Sequence, residues 1–520
     1  MKFKTTKVLA FLLAMVMVLS LAACGQKPAE SSSESKPAES SSQPASSDAA
    51  ASSSSVVEEK KEPVEIVVRM YDTGDALPQD RRDEVLAAIN EYIEPLINVK
   101  IKKMYWTNDG SNLDLMLGAG EEIDLWWNNG NAATLGLQGA AYDLTEKIKE
   151  YPDLYNLIPE AIWESSKIRG NNYYIPVYKE SAVGYGLLIP NDWKDKFGWD
   201  LSAAKSIEDI EPWLEDLKQE GVDIPFMKHT FYFKNFLWDD FAWINDYLVV
   251  DRDGDTTKIA KAWETQEMYD LISLFYDWNQ KGYISQEEMS QIASATIKEY
   301  RLARETGIHT WTTVPDNEAN NDGRNTYPDV NLSYDVWTMT DAYVDTGSAI
   351  GSTYQLNAKS TEEEIDACLK FVQLLFTDPD KVVGDLLCWG IEGKDYNLVN
   401  NQVEKTDLKQ WVQVGVWSIT AVDGAHWVKG TATNLPELYD EFNNTSSTSV
   451  TAGFYFDTTN VEAEITACNA VISEYKRLIS HGFYDPAEYM PIINQKLKEA
   501  GIDKVQAECQ KQYDEWLKTK

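Results

Sequence analysis

VEIVVRMY, residues 64–71, is an eight-residue run dominated by apolar and β-branched side chains, the pattern of a largely buried strand. Downstream, Asp80 to Ile97 places Val85, Ala88, Ile89, Ile93 and Leu96 at helical spacing, and Val99 to Tyr105 alternates Val99 and Ile101 with Lys100 and Lys102. Ser111 heads another helix, carrying Leu113, Leu115, Met116 and Leu117, and Glu122-Ile-Asp-Leu-Trp-Trp127 is a third strand. A β-α-β-α-β order predicts a parallel sheet with crossover helices, hence an α/β fold. Ligands of such sheets collect at the carboxyl ends of strands, which makes Tyr71, Trp106 and Trp126-Trp127-Asn128-Asn129 candidates by position. Strand alternation sends Trp126 and Trp127 to opposite sides, so only one of them is expected to face a cleft.

The alternation of strands and helices continues outward. Tyr174 to Tyr178 predicts a short strand, Tyr185 to Ile189 a second, and Ser206 opens a helix with Glu208 and Asp209 in its first turn. Lys261 to Lys298 reads as a long helical region with a break near Gly282. Asp345 to Leu356 reads as a strand of small residues, followed by a helix from Thr361 to Phe376 whose Thr361 and Glu364 form a capping box.

The first 63 residues read as a processing signal followed by a tether. Lys2, Lys4 and Lys7 precede an apolar run from Val8 to Ala23, too short to span a membrane and typical of a secretory signal. It ends Leu21-Ala-Ala-Cys24-Gly25, which resembles the lipobox of bacterial lipoproteins and marks Cys24 for lipidation. Residues 25–63, rich in Ser, Ala, Pro and Glu, have almost nothing to bury and predict a disordered tether. A glycosylated stalk is the competing reading.

Composition excludes several functions. The 520 residues hold 47 Lys and Arg against 84 Asp and Glu, a net charge of −37, which repels nucleic acid. Four His in the whole chain argue against a His-rich metal enzyme, and no GxSxG, P-loop or HExxH is found. No cofactor is expected. Three of the four Cys after Cys24, namely Cys368, Cys468 and Cys509, fall on helical apolar faces, so with Cys388 they are expected to be free buried thiols. Carboxylates are too numerous for pairs such as Asp192, Asp239-Asp240, Asp423 and Glu392 to single out a glycosidase. Asp251-Arg-Asp-Gly-Asp255 lacks the full calcium-loop spacing and reads as a turn.

The aromatic load is the informative signal: 18 Trp, 27 Tyr and 15 Phe. Sugars pack C–H patches on aromatic faces and need amide or carboxylate partners for their hydroxyls. Most such rings nevertheless pack in cores. The expected ligand-facing set is drawn from Trp126, Trp127, Asn129, Tyr178, Glu180, Tyr185, Trp311, Trp337, Ser348, Trp389 and Glu392. Within it Trp127, Tyr178 and Trp389 are the expected stacking platforms, and Asn129, Glu180, Ser348 and Glu392 the hydroxyl partners.

The lipobox, the first βαβαβ unit, Tyr174-Ile-Pro-Val-Tyr-Lys-Glu180 and Gly347-Ser-Ala-Ile-Gly-Ser352 together resemble extracellular solute-binding lipoproteins of ABC importers, the class of the maltodextrin-binding proteins. Trp389-Gly-Ile-Glu-Gly-Lys-Asp-Tyr396 is similar to a segment common in that group. Gly453-Phe-Tyr-Phe-Asp457, Val461 to Ile465, Asn469 to Tyr475, Gly482-Phe-Tyr-Asp-Pro486 and Lys498 to Trp516 resemble the closing domain of a Gram-positive subgroup. The resemblance implies a two-lobed, periplasmic-binding-protein-like (type II) fold with a hinge between the lobes and a helical C-terminal extension. It divides the chain into a signal peptide (1–23), lipidated Cys and linker (24–63), lobe 1 (64–178 plus 348–400), lobe 2 (179–347 plus 401–450) and a C-terminal domain (451–520). The crossings between lobes are expected near Lys179–Gly186 and Gly347–Gln355. It further implies a monomer, lipid-anchored at the outer face of the cell membrane, that captures a carbohydrate without altering it and passes it to ABC permease subunits. A surface glycoside hydrolase and a sensing lipoprotein are the alternatives.

Overall fold

The computed structural model describes residues 62–71, 78–107, 112–129, 132–228, 233–284, 306–315, 333–406 and 416–520. Strand β1 (Val64–Tyr71) lies parallel to its neighbours β2 (Val99–Thr107) and β3 (Leu125–Asn128), with helices α1 (Gln79–Ile97) and α2 (Leu113–Ala119) as crossovers. The sheet is extended beyond β3 by Thr353–Leu356, antiparallel to β3, and then by β4 (Ile175–Pro176). Ile66, Val68 and Met70 of β1 share one core with Val85, Ile89 and Ile93 of α1, the residues whose spacing predicted the helix. α1 stops at Asn98, which takes the left-handed conformation (φ 54°) that Asn tolerates.

The second sheet is built around β5 (Tyr185–Pro190), antiparallel to both Thr306–Thr312 and Tyr334–Thr338, with β6 (Ile224–Met227) parallel to Thr306–Thr312 at one edge. Leu187, Ile189, Phe226, Trp278 and Ile308 pack in a second core, separate from the first. The chain thus forms two α/β lobes. The C-terminal helices Glu462–Ser480, Pro486–Ala500 and Ile502–Leu517 contribute Cys468, Ile472, Ile493, Leu497, Val505 and Tyr513 to that same second core. The described residues 401–406 and 416–450 lie largely with the first lobe, where Val403, Val416, Ile419, Ala421 and Ala425 pack in the same core as β1.

Three passages of chain lie side by side between the lobes. Val183 exchanges backbone hydrogen bonds with Tyr343 (2.9 and 3.0 Å), and Tyr343–Val344 pair in parallel with Ser447–Thr448. At Gly184 the passages approach so closely that a Cβ would run into Thr313 and lie 3.1 Å from the Asp341 carbonyl oxygen. The expected strand over Asp345–Leu356 forms only in its second half. Asp345 accepts a hydrogen bond from the Ser348 N–H (2.7 Å) and the Ser348 hydroxyl takes one from the Asp345 N–H (3.0 Å), so Thr346–Ala349 is a capped helical turn.

The predicted caps elsewhere are present. Ser206 and Asp209 cap Ile207–Ile210, which runs into Glu211–Glu220, and Thr361 with Glu364 caps Glu362–Thr377. The long helical region is Gln266–Gln280, ended by Gly282 at φ +77°; residues 285–298 of the expectation lie outside the described residues. Cys368, Cys388, Cys468 and Cys509 are buried free thiols. Cys24 and the linker up to residue 61 lie outside the described residues, and among those described no helix is long and apolar enough to cross a membrane.

Candidate functional site

The carboxyl ends of β1 and β3 bring two rings together: Tyr71 lies against Trp127 with centroids 4.4 Å apart and planes tilted by 35°. Tyr71 is half-buried and Trp127 buried, its Nε1–H donating to the Ser352 Oγ (2.8 Å) and the Ser418 carbonyl (2.6 Å). Trp126 points to the other face of the sheet, as alternation requires, and is fully buried beside Leu113 and Leu135 with its indole N–H on Gln355 (3.1 Å). Asn129 is exposed at the end of β3. Trp106, at the end of β2, is half-buried with the Arg82 guanidinium 5.9 Å from its ring.

The first crossing carries Tyr178 and Glu180. The Tyr178 hydroxyl donates to Asp440, and burial above all pushes this phenol well above its usual range. Asn443 clamps the crossing: its Oδ1 accepts from the N–H groups of Ser181 (2.8 Å) and Ala182 (3.2 Å), and its Nδ2 donates to the Lys179 carbonyl (2.7 Å). Glu180 Oε1 is paired with the Lys179 ammonium (3.1 Å), whereas its Oε2 is buried with no partner among the described residues. A buried carboxylate oxygen lacking a donor is unfavourable.

On the second lobe, Tyr185 meets Trp238 edge-on at 5.4 Å, and its phenol is pushed up to about 12, first by burial and then by the charge of Asp345. Trp238 donates to the Val183 carbonyl (2.8 Å). Arg252 stacks over Tyr343 at 3.8 Å, donates through Nε to the Trp238 carbonyl (2.8 Å) and through Nη1 to Ser449 (3.1 Å), and so ties this lobe to two of the three passages. Trp311 is half-buried on the sheet opposite Gly186, and Trp337 is buried in the second core.

The structure therefore pairs Tyr71 with Trp127 on one lobe, and carries Tyr178 and Glu180 on the crossing and Tyr185 and Trp311 on the other lobe. Ser348 serves as a helix cap. Trp389 is buried, with its N–H on the His426 carbonyl (2.8 Å), and Glu392 is exposed near Asp395, which is bound to Arg81 of α1. Asp239 and Asp240 are half-buried carboxylates raised by burial; Asp239 accepts the Asp341 N–H (3.0 Å), which makes it part of the crossing. Asp423 is paired with Lys381, and Asp192 is exposed. Sequence reasoning missed Arg252, Asp440 and Asn443. Their partners lie far away in sequence, and no local pattern announces them. Among the described residues no cluster of His, Cys, Asp and Glu is arranged to hold a metal.

Comparison with known proteins follows the same outline. A family model described as a domain of unknown function (DUF3502) matches residues 450–518. A carbohydrate ABC transporter substrate-binding protein of Streptococcus pneumoniae is 27% identical over 467 residues, 87% of this chain and 91% of that protein. In sequence and fold the chain is similar to solute-binding proteins. The crystal structure of the N-glycan transport solute binding protein NgtS from Streptococcus pneumoniae superposes with a TM-score of 0.72 at 24% identity, covering 88% of this chain and 99% of that one. Its complex with Man1GlcNAc gives 0.63 at 25% identity over 87% and 99%. The alginate-binding protein AlgQ2 gives 0.52 at 17% identity over 87% and 98%, a likeness of fold alone.

Proposed function

We propose that the protein captures a carbohydrate, an oligosaccharide, between its two lobes and delivers it unchanged to the permease subunits of an ABC importer. The observation that carries the reading is Glu180, which sits on the passage between the lobes with a buried carboxylate oxygen awaiting a donor. The Tyr71–Trp127 pair and the half-buried Tyr185 and Trp311 supply ring faces on both sides, the arrangement in which a sugar contacts both lobes at once. A ligand closes hinged lobes only through such differential contact. Trp127, Tyr178 and Trp389 remain the proposed platforms, with Asn129, Glu180, Ser348 and Glu392 as polar partners; of these Trp127 and Glu180 are best supported by their surroundings. Lipidation at Cys24 holds the monomer, through the linker of residues 25–63, at the outer face of a Gram-positive cell membrane.

Calorimetry against a panel of oligosaccharides tests the reading. One glycan class is expected to bind, and Glu180→Gln, which keeps shape but removes the anion, is expected to weaken it at least tenfold, in line with the ~1.5–3 kcal/mol of a charge-assisted hydrogen bond. Peptide binding in the absence of any glycan binding would refute the sugar assignment. New reducing ends after incubation would instead make the protein a hydrolase.

A further inference from the structure

We propose that a cavity of ≈ 360 Å³ at the meeting of the second lobe, the turn Asp345–Gly347 and the C-terminal segment is a second binding site, for one uncharged polyhydroxy ring of monosaccharide size. None of Tyr71, Trp127, Asn129, Tyr178 and Glu180 lines it, although the turn that walls it also carries Ser348 and its Asp345 acts on Tyr185. Its walls come from three parts of the chain: Trp243 to Tyr247, the capped turn at Asp345, and Phe454 to Phe456 with Asn469.

Two lining residues carry buried donors that find no acceptor among the described residues, the Trp243 indole N–H and the Tyr247 hydroxyl. Tyr247 is fully buried, at 0% exposure. Buried donors are almost always paired, so two left open on one cavity call for acceptor atoms to fill it. The surroundings hold the donors in place. Asn245 Oδ1 accepts the backbone N–H groups of Tyr247 (3.0 Å) and Leu248 (2.8 Å), and the Gly453 N–H donates to Thr346 Oγ1 (2.8 Å), joining the turn to the C-terminal wall.

Charge selects the class of ligand. No Lys or Arg lines the cavity while Asp345 does, which disfavours an anion, and two open donors on lining residues favour oxygen acceptors over a cation. A neutral ring with several hydroxyls meets every wall: its oxygens accept from Trp243 and Tyr247, its O–H groups donate to Asp345 and Asn469, and its C–H face packs on Phe454 to Phe456. The volume lies in the range of small-molecule sites, which begins at about 300 Å³.

The test uses calorimetry and melting temperature on the full chain, with glucose, galactose, mannose and N-acetylglucosamine as neutral probes and choline and inorganic phosphate as charged ones. At least one neutral sugar is expected to bind. Tyr247→Phe and Trp243→Phe each delete a donor and keep a ring, and each is expected to weaken that sugar about tenfold while the unliganded melting temperature holds. Glu180→Gln, directed at the cleft, is expected to leave this monosaccharide affinity as it was, so failure here and failure of the transport reading are separate results. The proposal is overturned if none of the four sugars binds, if choline or phosphate binds in their place, or if Glu180→Gln abolishes monosaccharide binding while both ring variants leave it intact.

Discussion

The two lobes complete their cores in different ways. The first draws on β1 to β3 and closes with Thr353–Leu356 and the capped helix Glu362–Thr377, whose Ile365, Leu369 and Val372 meet Ile66 and Val68. The second lays its sheet against side chains that arrive only at the end of the chain: Ile479, Ile493, Leu497, Val505 and Tyr513 share a core with Leu187, Phe226 and Phe275. At Gly482, φ is +72° and the backbone touches the Phe275 carbonyl so closely that no Cβ fits, which shows how tightly the C-terminal helices are seated on Gln266–Gln280. The C-terminal segment matched by the family model thus supplies a substantial part of that lobe's interior.

The largest expected effect follows from that asymmetry. Ending the chain at residue 450 strips the second core of many fully buried side chains, each worth ~1.5–3 kcal/mol. The total exceeds the ~5–15 kcal/mol that holds a domain folded. Hydrogen exchange should then show β5 and β6 losing protection while β1 to β3 keep theirs. Equal protection of both sheets in the truncated protein would mean that the C-terminal helices are dispensable.

The first lobe has its own weak point, of smaller size. Arg81 of α1 and Asp395 are both nearly buried and joined at 2.6 Å, and Asp395 also accepts the Ile391 N–H (2.7 Å). Asp395→Ala leaves a buried guanidinium without its main counter-charge, and a loss of ~3–5 kcal/mol is expected. Denaturant unfolding followed by the exchange of β1 amides measures it. A change below ~1 kcal/mol would show that Glu84, the other carboxylate on Arg81, suffices.

The difference between the lobes also marks how far sequence carries. β1, α1, β2 and β3 were legible because local periodicity and a parallel core impose the same pattern, as were the Thr361 and Ser206 caps, which need only neighbours three residues apart. The opposed directions of Trp126 and Trp127 followed from strand geometry. The turn at Asp345 was misread because small residues suit both a strand and a capped helical turn, and the reciprocal bonds with Ser348 decide between them. The path of residues 401–450, the Arg252 stack on Tyr343 and the Asn443 clamp on Ser181 were hidden because each depends on partners roughly a hundred to several hundred positions away. The unpaired Glu180 oxygen needed both: Tyr178-Lys-Glu180 stood out as a motif, yet its burial is set by the packed crossing.

The smallest predicted effect concerns pH at the join of the second lobe and its C-terminal helices. His481 follows the helix Glu462–Ser480, is nearly buried, and has its carbonyl bound to Asn279 (3.0 Å) of the helix Gln266–Gln280. Burial above all, and then the positive charge of Lys228, lower its pKa to about 3, with Arg477 adding to the repulsion even as the Arg477 carbonyl accepts a hydrogen bond from the ring. The unfolded chain takes up this proton near pH 6.5 while the folded chain refuses it until about pH 3. Folding at this site is therefore undiminished above pH 6.5 and weakens as pH falls through that window, by at most ~1.4 kcal/mol per pH unit. Because the first lobe's His426 is instead held against the Asp385 carboxylate (2.7 Å), which welcomes a proton, acid should loosen the second-lobe sheet first. Melting curves between pH 7 and pH 4.5, with exchange protection read separately for β1 and β5, are expected to show this order, and His481→Gln should flatten the slope at β5. A steeper acid loss at β1, or an unchanged slope in the variant, would place the acid sensitivity elsewhere and remove His481 from the account.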